Sequence, residues 1–323
     1  MGKIPVLQTI TETYAFAFRR YLPILGVLWV PFLVICALVY YYLLPALMRF
    51  LASLGDIALH PAPDPRAASA LAGLYRFLGQ IFLFELVVLV IACVVAVGVT
   101  KEALGLRRGP RFVYLAFGKS ELLVIGGMLT VFVLYLGAVI AFAIVGGIVG
   151  AIVGVAMMGT SGAHGDPAAL AASTLVVVRW LTLLFYLVFV YFVIRLTFFV
   201  VPVSTAEGRF GVWRSWALTK GNFWRIIGVI LGTFLPITIV SSAVWYVMFG
   251  SALFQPMWHP PANPAATAAQ LGAQMQSLVR NGIFVGLYSL LLAPISYGLM
   301  FGQAVFAYRA VVGDKAEGPW GGK

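Results

Sequence analysis

Charge is scarce in this chain. Asp, Glu, Lys and Arg make up 10% of its 323 residues, against about 25% in soluble domains. Hydrophobic residues make up 62%, and the mean hydropathy is +1.02. A water-soluble surface cannot enclose that much apolar material, so the core must face lipid. Acidic residues are rarer still: there are ten, and no two are placed as a catalytic pair. The His-Glu-x-x-His motif, the phosphate-binding Gly-rich loop and the Gly-x-Ser-x-Gly elbow do not occur, and no enzyme is expected. His60, His164 and His259 stand far apart without a second ligand at helical spacing, so neither a metal nor another cofactor is expected. Cysteine is limited to Cys36 and Cys93, both inside apolar runs, where they read as small hydrophobes.

No cleavable signal peptide is expected, because the first apolar run is too long for an h-region. Met1-Gly2-Lys3 is a poor myristoylation start, since Val6 stands where Ser or Thr is wanted. The net charge of +11 raises the question of nucleic acid. The basic residues, however, sit in short loops beside apolar runs, and no basic domain is large enough to grip a duplex. The pattern is that of positively charged inner loops facing anionic headgroups.

Six spans are expected, at about 22–44, 77–99, 122–160, 174–201, 226–250 and 283–308. Pro23 and Pro31 predict a kink near residues 27–31 in the first. The third run would reach about 55 Å as one helix, against a hydrocarbon core of about 30 Å. It either tilts and protrudes or breaks among its glycines. Gly146, Gly150 and Gly154, with Ala143, Gly147 and Ala151, form small-residue ridges suited to close helix packing. Residues 4–20 predict an interfacial helix with Val6, Leu7, Ile10, Tyr14, Ala17 and Phe18 on its apolar arc. Residues 67–77 predict a short helix in the first outside loop, and 112–120 a second interfacial helix. With both termini inside, fifteen of the 21 lysines and arginines fall in inner segments and four in outer ones. That asymmetry orients the chain.

The order of elements repeats. Units of about 1–105, 106–206 and 207–323 each read as interfacial helix, span, outside loop and span. A shift of 101 residues aligns Ala116 with Ala217, Lys119 with Lys220, Ile125 with Ile226 and Gly127 with Gly228. The expected fold is therefore all-α: a polytopic membrane protein, one integral membrane domain over 1–323, with six transmembrane helices in three pseudo-repeats. Such symmetry is common in transporters but also arises by plain duplication.

Three charges fall within spans. Glu85 and Arg179 lie at similar depth in the outer half and are expected to pair, as a structural clamp or as a gate or substrate contact. Arg195 lies near the inner end of its span, within snorkelling reach of phosphate level. The densest segment is 207–225, between two spans, with four cations and three tryptophans in 19 residues. There Trp213, Trp216 and Trp224 read as headgroup anchors. Arg209, Arg214, Lys220 and Arg225 are cations within reach of phosphates, and Gly221-Asn222 reads as a helix stop. This is either an aromatic belt with positive-inside charge or a specific site for an anionic lipid or a protein partner.

The stretch R-S-W-A-L-T-K-G-N-F-W-R-I-I-G-V at 214–229 resembles the glycerophosphoryl diester phosphodiesterase membrane-domain family of six-helix bacterial proteins. So do R-L-T-F-F-V-V-P-V-S-T-A-E-G at 195–208 and A-Y-R-A-V-V-G-D at 307–314. At Ala307-Tyr308-Arg309 the chain departs from the commoner acidic Y-x-D-x-R form. The resemblance implies a bacterial inner-membrane protein. The phosphodiesterase activity belongs to members fused to a soluble domain, and this chain has neither room for that domain nor its metal-binding carboxylates. The function expected is a non-catalytic membrane protein engaging anionic lipid, or docking a partner, through its cytoplasmic interfacial helices. The alternative is a transporter or channel for a small or amphipathic solute, which requires a cavity lined by Glu85 and Arg179.

Overall fold

The computed structural model describes residues 2–50, 65–107, 114, 117–161, 167–249, 276–277 and 280–313. Among these, regular structure is entirely helical: α1 (Val6–Arg19), α2 (Tyr21–Leu38), α3 (Pro65–Leu104), α4 (Lys119–Ser161), α5 (Pro167–Thr197), α6 (Val200–Glu207), α7 (Val212–Thr219), α8 (Phe223–Phe249) and α9 (Gly282–Val312). Six stretches are long and apolar enough to cross a bilayer: α2 with its extension to Phe50, α3, α4, α5 with α6, α8 and α9. The chain is an all-α, multi-pass membrane protein.

Several local expectations change. Residues 67–77 are not a separate helix but the first turns of α3. The long third run does not break at its glycines; α4 is one 43-residue helix. In the first span the irregularity is a π turn at Val39–Leu43, beyond Pro31. In the 112–120 segment, the described residues Tyr114, Phe117 and Gly118 lie outside any helix, and α4 begins at Lys119. The three histidines lie outside the described residues.

The core gathers at one end of the bundle, where both termini and most of the basic loops meet. Buried there are Ile24 and Val27 of α2, Val97 and Val99 of α3, Val124 of α4, Phe199 and Val203 beside and within α6, and Tyr308 of α9. Toward the other end, large apolar side chains such as Ile144, Ile152, Leu187, Val247, Ile283 and Leu291 are exposed, as lipid-facing residues are. The helices returning to the basic end close alike: α3, α6 and α9 are followed by Gly105 (φ +73°), Gly208 (+60°) and Gly313 (+75°). That left-handed conformation is open to glycine at little steric cost.

Helix α1 does not lie free in the interface. It packs along α9 and α8. Its buried face is Thr9, Thr13, Phe16 and Ala17, while Leu7 and Phe18 of the apolar arc are exposed. Glycines set this contact. A Cβ on Gly298 would stand 3.1 Å from Ala17 Cα, one on Gly302 3.1 Å from the Phe16 ring, and one on Gly228 3.5 Å from Val6. Gly232 faces Ile10 in the same way. Two Gly-x-x-x-Gly pairs thus cradle α1. The threonines tolerate burial because Thr9 and Thr13 donate to the carbonyls of Pro5 and Thr9. On α4, by contrast, added Cβ atoms at Gly146, Gly147 and Gly150 would meet nothing within 4 Å. Among the described residues the expected close-packing ridge has no neighbour there.

Candidate functional site

The 207–225 segment turns on three glycines. Gly208 and Gly221 (φ +79°) take left-handed turns at its ends. At Gly211 a Cβ would press on the Val200 carbonyl oxygen at 2.6 Å, which requires glycine. These turns lay α7 against α5.

Ser215 locks that packing. The helical ladder opens at residues 198–199, between α5 and α6. The Phe199 N–H donates to Ser215 Oγ (3.1 Å), and Ser215 Oγ donates to the Arg195 carbonyl (3.0 Å). A hydroxyl from α7 therefore stands where an i→i+4 bond would run, which is how an inserted side chain breaks a helix.

Arg195 closes the same junction. Its guanidinium lies 3.7 Å from the Trp216 ring centroid. It donates to Tyr191 Oη (2.8 Å), the Trp216 carbonyl (3.0 Å) and Thr219 Oγ1 (3.2 Å). An aromatic face and three oxygens hold the head against α7. Among the described residues it has no acidic partner.

Other members of the segment divide between inward and outward roles. Glu207 accepts from Tyr308 Oη (2.7 Å) and pairs with Arg209 and with Arg214 (3.6 Å). Asn222, expected as part of a helix stop, binds the N-terminal segment from both ends of its amide. It accepts from the Ile4 N–H and donates to the Gly2 carbonyl, both at 3.2 Å. Arg225 donates to the Ile4 carbonyl (2.9 Å), and the Gly2 N–H to the Val311 carbonyl (3.3 Å). Trp213 is 67% exposed and Trp224 79%. Lys220 and Arg209 are also exposed, so these four face the surroundings of the bundle.

A second polar cluster holds residues that sequence reasoning passed over. Glu121, fully buried, accepts from Lys101 Nζ (2.8 Å), Tyr114 Oη (2.7 Å) and the Gly118 N–H (3.0 Å). It is the third residue of α4 and reaches back to the amide ahead of the helix, as a capping-box glutamate does. Burial first, and then the Glu121 carboxylate, push the Tyr114 phenol well above its ordinary range. Glu102 pairs with Arg20 and Arg107, each at 3.5 Å. The sequence signal was the Gly-x-x-Glu spacing at 118–121, just before an apolar run.

Glu85 and Arg179 are not brought together. Both are exposed, and among the described residues neither has an ion-pair partner. Their helices, α3 and α5, each pack along α4. Arg179 borders an open depression of about 770 Å³ with Trp180 and Tyr186, all on α5, and Glu85 does not line it. The shared cavity that a transport reading required is not formed by these two residues. Compared with protein-family models, curated proteins and solved structures, the chain has no match.

Proposed function

We propose that this multi-pass membrane protein is a non-catalytic component of a bacterial cytoplasmic membrane, with both termini inside, whose basic end engages anionic lipid headgroups. The observation that carries the reading is the outward set on the 207–225 segment. Trp213 and Trp224 are exposed beside Lys220 and Arg209, at the start of a span. Amphipathic rings flanked by cations are suited to the headgroup layer, where each cation contributes about 1 kcal/mol toward an anionic surface. Arg214, half-buried against Glu207, belongs less to this function, whereas Arg209 and Arg225 stay exposed although they engage Glu207 and the Ile4 carbonyl. Headgroups are favoured over a docked protein because exposed tryptophans with exposed cations at the start of a span are the pattern of a membrane interface. The likeness to the glycerophosphoryl diester phosphodiesterase membrane-domain family is read as one of motif and topology without the phosphodiesterase chemistry.

The test uses nanodiscs of equal phosphatidylglycerol and phosphatidylethanolamine, from which the protein is released with its retained lipids and weighed. The intact chain should enrich phosphatidylglycerol. Arg209→Gln with Lys220→Gln should reduce that enrichment by about fivefold per residue, with Tm unchanged. Equal retention of the two lipids by the intact chain would sink the reading.

A further inference from the structure

We infer that the groove between α4 and α5 holds one acyl chain of an anionic phospholipid, whose phosphate sits on Arg195. The inference rests on the headgroup reading and assigns it a specific seat. The groove encloses about 460 Å³ and is lined by apolar side chains of α4 and α5, with Trp213 and Trp216 of α7 at its basic end. That volume lies within the range of ligand-sized sites. Its wall on α5 runs from Leu196 to Phe185. Eleven residues of helix rise about 16 Å, and one leaflet of hydrocarbon is about 15 Å deep. Measured inward from the tryptophan level along α5, the groove therefore has the depth of one leaflet, with α4 facing it from Val131 to Ala138.

Charge selects the headgroup. The Arg195 guanidinium rests on the Trp216 ring that forms the mouth of the groove. It is partly buried and lacks an acidic partner among the described residues. Three of its donors serve Thr219, Tyr191 and Trp216, out of the five a guanidinium carries. The remaining N–H groups match a phosphate, and a cation withdrawn from water without a counter-charge favours one strongly. An apolar slot of one-leaflet depth below an uncompensated arginine fits a lipid anion. A hydrophobic peptide would leave the charge unmet, and a free phosphate would leave the slot unfilled.

The same nanodisc measurement tests the seat. The intact chain should keep one phosphatidylglycerol per protomer under collisional activation that strips the others. Ala138→Trp fills the groove from α4 and should remove that last lipid, leaving Tm and the overall phosphatidylglycerol enrichment unchanged. Arg195→Gln should lower the preference of the last lipid for phosphatidylglycerol by about tenfold. Because Arg195 also ties α7 to α5, Ala138→Trp decides the matter if the arginine variant loses stability. A tightly held lipid that survives Ala138→Trp would overturn the seat while the headgroup reading stands. A last-held phosphatidylethanolamine, or a second protein chain in the groove, would overturn it equally. Loss of enrichment in the intact chain would instead overturn the headgroup reading itself.

Discussion

At the scale of single residues, position around a helix decides what a charge does. Glu85 lies within an apolar run and Glu121 at the start of one, yet Glu121 is sealed against Lys101 and Tyr114 while Glu85 faces outward. Removing one member of a buried ion pair leaves an uncompensated charge, so Glu121→Ala should cost about 3–5 kcal/mol. Glu85→Ala should be neutral or stabilising, and Glu85→Ala with Arg179→Ala should show no coupling in a double-mutant cycle. Thermal unfolding in detergent reads all three, and a clear coupling energy would restore the pair. Ser215 is a second case. Ser215→Ala strands the Phe199 N–H and the Arg195 carbonyl, at about 1–3 kcal/mol. An unchanged Tm would mean that the helix closes its own ladder. Sequence gave Glu85 prominence because depth along a span is countable from the chain, whereas which way the residue faces depends on neighbouring helices. It underrated Asn222 and Arg225 for the same reason, since their partners stand more than 200 residues away.

At the scale of elements, glycine spacing locates close packing only when a neighbour is present. The pairs Gly228/Gly232, Gly298/Gly302 and Gly146/Gly150 share one spacing, yet only the first two receive a helix. Gly298→Val should drive α1 off α9, because the obstruction is Ala17 backbone as well as side chain, and overpacking of this kind costs about 1–3 kcal/mol. Gly150→Val, where nothing stands within 4 Å, should leave Tm unchanged. A matching loss at both positions would mean that α4 has a partner along its ridge. The six spans were legible because twenty apolar residues in a row leave few alternatives. The face of α1 was not. Hydrophobicity puts Leu7 and Phe18 on a lipid-facing arc, where they are exposed, but the face buried against the bundle is chosen by fit against glycine, which selects threonine and alanine.

At the scale of the whole molecule, buried residues and most of the basic loops gather at one end, and the opposite halves present apolar surface to lipid. The glycines closing α3, α6 and α9 all take a positive φ, and the loop before α4 is not helical where it is described. The proposed orientation, with the basic loops inside, is open to a direct test. In a Cys36→Ser, Cys93→Ser background, Lys220→Cys should resist a membrane-impermeant maleimide in intact cells and react after lysis. Labelling before lysis would invert the molecule.

The order in which the chain is made gives the N-terminal segment a particular burden. Synthesis delivers Gly2 and Ile4 well before their partners: Asn222 comes 218 residues after Ile4, and Val311, which receives the Gly2 amide, later still. Helix α1 likewise has no seat until α8 and α9 are inserted. The opening residues must therefore wait in or on the bilayer through most of translation, and only the final span completes their berth. A ribosome that stops before α9 leaves α1 exposed, so α1 reports whether α9 has arrived.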